Sequence, residues 1–529
     1  MKRLQYILFA LIISHPCTTF AQDTTFNRVV TVERDYQPNI NQASIIPVLP
    51  IVLQEEVNQN SVVYSTYSAP LSIGYNLHSL KPSEIRFTRP TPSYGILDGA
   101  IGHHNTHLDF LYKLRNISNF TTDVYANHDA YWGSNTLSDT RIGIKGIYYF
   151  DKSKFYFGVN GGNLAYTILS QDPLQSLYHA DAHIGIQSKT DNHLQYKIQT
   201  GYKAFFTPIN IEHQVRSHLD LYWEEGVHRG GIKAYVQNNF YADVNPIHNL
   251  RIQPFYAFNK KKIRLHVGVN LDMNIGTGKM LSNIENLCFA PSPNVQVQWL
   301  AVPKIFNIHA EIEGRLATGT MEDGLYANRY FQLTQVQKRD SMGYTPIASN
   351  LGFTIHPLRT MMIDIYGGYS LYKNDYTMLA NIDGNSITYN YLLHDYHRVH
   401  VGASMHYHFR DIITIKASGN YYYWKNNVSN MPVYDRPNWD AHLRIDANIS
   451  QKWSLYSENS FEGKRLARTN INDKTLPMLI DLNLGAQYNI NRWLHVYLQL
   501  GNYLHRQNSI YYGYHTQGCH FLAGVKYIF

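Results

Sequence analysis

The chain ends on His520-Phe521-Leu522-Ala523-Gly524-Val525-Lys526-Tyr527-Ile528-Phe529. Taken two by two, Phe521, Ala523, Val525, Tyr527 and Phe529 fall on one face. His520, Leu522, Gly524, Lys526 and Ile528 fall on the other. A strand points successive side chains to opposite faces, so this stretch reads as one strand with an apolar side and a mixed side. Such a strand closes a soluble sheet as readily as a membrane wall. What separates the two is whether the pattern recurs at membrane-crossing length.

It does recur. Over 263–275, Ile263, Leu265, Val267, Val269, Leu271, Met273 and Ile275 oppose Arg264, His266, Gly268, Asn270, Asp272 and Asn274. Over 305–316, Phe306, Ile308, Ala310, Ile312 and Leu316 oppose Asn307, His309, Glu311, Glu313 and Arg315. The same holds at 441–449, with His442, Arg444 and Asp446 on the polar side, and at 480–490. These runs are often nine residues or more, near the ~9–11 that a tilted strand needs to cross a bilayer and beyond the ~5–6 of a soluble strand. Between them, short turns near 151, 191, 303, 410 and 450 alternate with longer Gly- and Asn-bearing stretches at 165–176, 276–291, 319–344, 373–390, 425–433, 464–477 and 505–517. Short turns at one end and long loops at the other are the arrangement of an outer-membrane barrel, whose closure removes the strand edges that lipid cannot satisfy. The expectation is an all-β, transmembrane antiparallel β-barrel over 93–529 with about 22 strands, 18 to 22 being compatible with the ambiguity at 93–104 and 242–247.

The other end of the chain is an address. Lys2 and Arg3 precede a mostly apolar run from Leu4 to Ile13, and Thr19 and Ala21 supply small residues before Gln22. This reads as a secretory signal over 1–21, and Ser14-His15-Pro16 before Cys17 does not make a lipobox. A net charge of +7 over 529 residues is too small and too dispersed to argue for nucleic acid. Tyr is abundant at 43 residues, which suits aromatic girdles. Two cysteines in the mature chain, Cys288 and Cys519, do not make a disulfide framework.

Residues 22–92 form a separate N-terminal segment, periplasmic or partly plugging the barrel. They open with Val29-Val30-Thr31-Val32-Glu33-Arg34-Asp35-Tyr36-Gln37-Pro38. This stretch resembles the V-x-V-E-R-x-Y-x-P run of a Bacteroidota family of outer-membrane barrel proteins related to TonB-dependent receptors. The terminal Phe521, Val525, Tyr527 and Phe529 likewise look like the C-terminal assembly signal of bacterial outer-membrane barrels. The resemblance implies a 22-strand barrel in the outer membrane of a Gram-negative bacterium, bounded by lipid and inserted by the barrel-assembly machinery. It also implies a periplasmic energy-coupling partner, with Val29, Val30, Thr31 and Val32 as candidate contact. One departure is that about 70 residues before the first strand are too few for the plug domain of that class.

The chemistry inside the wall is mixed. His179, Asp181 and His183 share a face, as do His400, His406 and His408 within a group that also holds His394 and His397. Residues two apart on one face sit roughly 6.6–6.8 Å apart, so three do not chelate easily, and a lumen-lining reading is preferred to a metal site. No cofactor is expected. The candidate lumen-lining residues are Arg264, His266, Asp272, His309, Glu311, Glu313, Arg315, His442, Arg444 and Asp446. Their mixed signs favour internal salt-bridge ladders or a weakly selective lumen. No G-x-S-x-G elbow, H-E-x-x-H or phosphate loop is present, and no enzyme is expected. Two functions remain: a gated channel or receptor for solute passage, or a non-transporting scaffold of an outer-membrane complex. A barrel this wide needs an obstruction, from 22–90, from the 319–344 loop, or from a partner.

Overall fold

The computed structural model describes residues 94–529, apart from 118, 133–135, 168–173, 190–192, 209–210, 243–244, 277–286, 318–319, 321, 323–342, 385, 411, 428–430, 507 and 517. The signal peptide, the 22–92 segment and nearly all of the 319–344 loop therefore lie outside the described residues.

Among the described residues there are 26 strands, of which four short ones (Arg465–Thr469, Lys474–Leu476, Ser509–Tyr511 and Tyr514–His515) stand apart from the wall. The other 22 form one antiparallel barrel in which each strand pairs with its neighbours in sequence. The ring closes between its first and last strands. Gly95–Gly102 pairs with Asn105–Ile117 on one side and with His520–Ile528 on the other, from Ile96 opposite Ile528 to Gly102 opposite Leu522. The terminal residue completes the seam: the Gly95 amide donates to the Phe529 carbonyl at 2.8 Å, and the Phe529 amide donates back to the Gly95 carbonyl at 3.0 Å.

The burial pattern decides which side faces which solvent. Within Ile263–Ile275 the apolar positions are the exposed ones, Ile263 at 45% and Ile275 at 48%, while Asn270 and Asn274 are buried at 2% and 0%. A soluble sandwich would show the reverse. An outer wall of apolar side chains around a polar interior is the distribution of a barrel whose outside is solvated by lipid. At the end with the short turns, aromatic rings pack in pairs on this wall, Tyr148 with Phe150, Tyr407 with Phe409, Trp453 with Tyr488 and Tyr527 with Phe529. They form the girdle of the interfacial zone.

Two details differ from the simple alternation. Register shifts between Glu313 and Arg315. Gly314 is wedged where a Cβ would meet Ser292 at 2.3 Å and the Pro346 carbonyl at 2.4 Å. Beyond this bulge the faces exchange, as a bulge's extra residue requires. Leu316 turns inward and packs with Cys288, Ala290 and Tyr344, and Arg315 is left exposed on the other side. Arg315 is thus not lined up with Glu311 and Glu313 as period-2 counting expects. The second departure is 373–390, which is not a loop. It is the continuation of two very long strands, Met361–Asp383 and Ser386–Phe409, which turn at Gly384 with a φ of 57°.

Candidate functional site

The candidate site is the lumen and its outer mouth, the end opposite the short turns. The inner wall is held by side-chain pairs across neighbouring strands. Arg251 grips Asp272 with Nε to Oδ1 at 2.5 Å and Nη2 to Oδ2 at 3.2 Å, and Oδ2 also accepts the Leu316 amide at 3.2 Å. His309 reaches Asp364 at 2.8 Å, and Thr354 donates to the same oxygen at 2.8 Å, all three being buried. Glu311 accepts from Gln296 at 3.1 Å. Arg444 bridges Asp446 and Glu458, each at 3.1 Å or less, with its guanidinium 5.2 Å from the Tyr456 ring centre. Arg264 donates to Gln298 at 3.4 Å, His266 stacks on Phe255 at 5.1 Å, and His442 meets Ser460 at 3.1 Å. Glu313 is half-buried on the same face. Asp272, His309, Glu311 and Arg444 are thus each held by a hydrogen-bond or ion-pair partner, which a low-dielectric wall demands of any charge it contains.

The two histidine groups resolve differently. Asp181 lies 3.2 Å from His183 Nδ1 and is also held by Arg216, while His179 is buried two positions away. His400 stands inside beside Tyr366 and Tyr422, whereas His397 is on the opposite face against Tyr369. Among the described residues no group of three His, Cys, Asp or Glu is arranged to hold a metal ion. Val29, Val30, Thr31 and Val32 lie outside the described residues. Phe521, Val525 and Tyr527 are exposed on the outer face of the closing strand, and Phe529 stacks on Tyr112 and Tyr527.

The mouth is spanned from one side to the other. The hairpin of Met361–Asp383 and Ser386–Phe409 bends at a register shift between Tyr372 and Asp375, where Asn374 takes a φ of 49° and its amide donates to Asp395 at 2.7 Å. Below the bend the hairpin is stiffened by packed rings, Tyr372 stacked on Tyr396 at 4.7 Å and Tyr396 edge-on to Trp424 at 5.7 Å. Above it, Met378, Ala380 and Tyr389 are buried in one apolar cluster with Tyr131, Leu137, Leu164, Tyr166, Leu177 and Phe205. Those six come from the third to seventh strands, and the hairpin is the fifteenth and sixteenth of 22, so the contact runs between nearly opposite walls. Tyr514 joins from the small hairpin 509–515, its hydroxyl donating to the Ile387 carbonyl at 3.3 Å. Burying a large apolar side chain is worth roughly 1.5–3 kcal/mol relative to leaving it in water, so this cluster holds the tip firmly.

Two further contacts reinforce it. Strand Arg465–Thr469 pairs in parallel with Leu379 and Ala380. Asp435, at a φ of 59°, accepts the Met378 amide at 3.0 Å and donates its own amide to Leu466 at 2.8 Å. Burial pushes the Asp435 carboxyl up to about 6. From the loop after Phe306–Leu316, the Glu322 amide donates to Glu212 at 3.1 Å and its carboxylate takes Lys203, on strands five and six places away. Sequence reading missed the whole device. The signals were there: alternation runs on through Thr377–Ile382 and Ile387–Leu392, and Asp383-Gly384 is a hairpin dipeptide.

No protein-family model matches the chain, and no curated protein matches it. Solved structures do. The copper transporter OprC is similar with a TM-score of 0.65 and 10% identity, over 83% of this chain and 80% of that one. The siderophore receptor PirA from Acinetobacter baumannii gives 0.66 and 10% over the same shares, and a ferric enterobactin receptor (PfeA) mutant from Pseudomonas aeruginosa gives 0.61 and 10% over 82% and 80%. At that identity the likeness is one of fold, and the fold it establishes is a large, closed, transmembrane antiparallel β-barrel.

Proposed function

We propose that this chain is an outer-membrane receptor-like barrel that admits a solute through a gated lumen. The observation that carries it is the mouth: a 22-strand wall encloses a space wide enough for an aqueous channel, and the chain's own hairpin crosses that space and packs on the far side. An open diffusion pore has no use for such a span. The structurally similar proteins are named as a copper transporter and siderophore receptors, which supports passage of a solute in place of catalysis. On this reading residues 22–92 contact the lumen or a periplasmic energy-coupling protein, with Val29 to Val32 as the contact. The inner-face residues Asp272, His309, Glu311 and Arg444 shape the path, and Phe521 to Phe529 direct assembly.

Planar-bilayer conductance tests it, comparing the mature protein, a form lacking residues 22–92, and a form whose residues 375–394 are replaced by a short turn. Gating expects the mature protein closed and at least one truncation open. A mature protein that conducts as a large steady pore removes the gate. If all three stay closed, the lumen is filled by wall and loops, and the scaffold reading takes over.

A further inference from the structure

We infer that the barrel holds a bilayer of uneven thickness, thin beside the seam and of normal depth on the opposite side. This rests on the transmembrane fold alone and is independent of what passes through the lumen.

The outer apolar belt can be measured strand by strand from its periplasmic girdle. On His520–Ile528 it starts at Tyr527 and ends at Phe521, which stacks on His103 in the very next turn. On Leu494–Gly501 it runs from Leu494 to Leu500, and Leu500 is paired with Phe521. On Asn105–Ile117 it runs from Leu114 to Leu108, after which the outward position is Thr106. Each spans six residues. Away from the seam, Ser386–Phe409 carries outward Phe409, Tyr407, Met405, Ala403, Val401 and Val399 before reaching His397. Ile413–Asn426 carries Ile413 to Tyr423, with Tyr421 and Tyr423 both well exposed. Ile263–Ile275 is apolar outward over its full length. These spans are ten to twelve residues.

At about 3.4 Å per residue and a tilt of ~40°, six residues rise ~15 Å and ten rise ~25 Å. The taller side matches the ~25 Å apolar band of an outer-membrane barrel, and the seam falls ~10 Å short. The first outward positions above the belt on the second, third and fourth strands are polar. Thr106 sits above Leu108, and next to it His128 is hydrogen-bonded to Thr140 at 2.8 Å on the face that carries Ile142. Tilting the barrel cannot remove the difference, because a tilt moves both edges of the belt on one side together. Lipid must thin there, the usual response to a short apolar span.

Matched cysteines test this. Thr106 lies six residues above the girdle residue Tyr112, and Val401 six above Tyr407; Thr140 lies eight above Tyr148, and Val399 eight above Tyr407. In the full chain carrying Cys519→Ser, we would place Thr106→Cys, Val401→Cys, Thr140→Cys and Val399→Cys singly. Each is reconstituted in dioleoylphosphatidylcholine vesicles, checked for the heat-modifiable gel mobility of a folded barrel, and reacted with a cationic, membrane-impermeant thiol reagent. Thinning expects Thr106→Cys and Thr140→Cys to react within about tenfold of Cys519 in the unsubstituted chain, and Val401→Cys and Val399→Cys ~100-fold more slowly, a depth effect of the hydrocarbon boundary. Equal protection at matched heights overturns the inference, whether uniform lipid or a second copy covers the seam. Two independent height-matched pairs keep the test decisive if one variant does not fold.

Discussion

The two sides of the barrel are built from one pattern and end differently. Around the seam, the strands Gly95–Gly102, Leu494–Gly501 and His520–Ile528 have eight, eight and nine residues. Farther round the ring, Met361–Asp383 and Ser386–Phe409 have 23 and 24. Within the membrane both obey apolar-out, polar-in alternation, because lipid and lumen impose the same rule on every strand. Above it the rule lapses. The tall hairpin meets water on both faces, so its apolar residues must find each other, and a bulge at Asn374 lets the tip fold over to the far wall. The seam side has nothing to spare above the belt and ends in a tight turn, where a Cβ on Gly102 would lie 1.8 Å from the Phe521 carbonyl. Wall height is therefore where the barrel differentiates: low where the chain closes on itself, tall where it reaches across.

The strongest test of that contrast removes the tip. Replacing 375–394 with a short turn is expected to leave a folded barrel, since neither the seam nor the wall below Tyr372 is touched, and to raise single-channel conductance from closed to a large steady level. A comparable rise from shortening a seam-side turn would dissolve the distinction. Next come single truncations in the cluster. Tyr389→Ala from the tip and Phe205→Ala from the far wall each should loosen the closure by about 3–5 kcal/mol, the usual cost of deleting a buried ring. Opening events should become frequent in both. Because the two residues belong to one contact, the double variant is expected to fall short of the sum, which a double-mutant cycle on opening frequency reads directly.

A smaller effect is acid–base. Asp435 beside the tip titrates near 6 in the fold, above its ordinary 3.8. The folded state thus holds this proton more tightly than the unfolded chain, and stability falls as pH rises from about 4 through about 6. The tip contact is expected to be firmer at pH 5 than at pH 8, seen as slower proteolysis within 375–394. Asp435→Asn keeps an acceptor for the Met378 amide and should flatten the dependence, while an unchanged profile would show that Asp435 does not govern the tip. The smallest expected change is at the seam. Lys526 lies 3.9 Å from Asp98, which also accepts from Tyr497 at 2.6 Å. Lys526→Met should alter thermal stability by no more than ~1 kcal/mol, the scale of a partly solvated ion pair. A larger loss would mean that the short seam depends on this pair more than on its backbone ladder.

The amino-acid sequence by itself determined the wall. Period-2 alternation at membrane-crossing length, short turns against long ones, and a closing aromatic strand specify an antiparallel barrel of about 22 strands, because each strand answers separately to lipid outside and water inside. It also put Asp272, His309, Glu311 and Arg444 on one side of their strands, since that follows from counting by two. Arg315 shows the limit of such counting: one register shift at Gly314 reverses the faces, and the close approach of Ser292 and Pro346 that demands glycine there is a tertiary fact. The crossing of the mouth was decided only in three dimensions. Nothing local links Phe205 with Tyr389, or Asp435 with Met378. They meet because closing 22 strands into a ring sets the third to seventh opposite the fifteenth and sixteenth, and an apolar tip standing in water packs on whatever apolar surface the ring brings within reach.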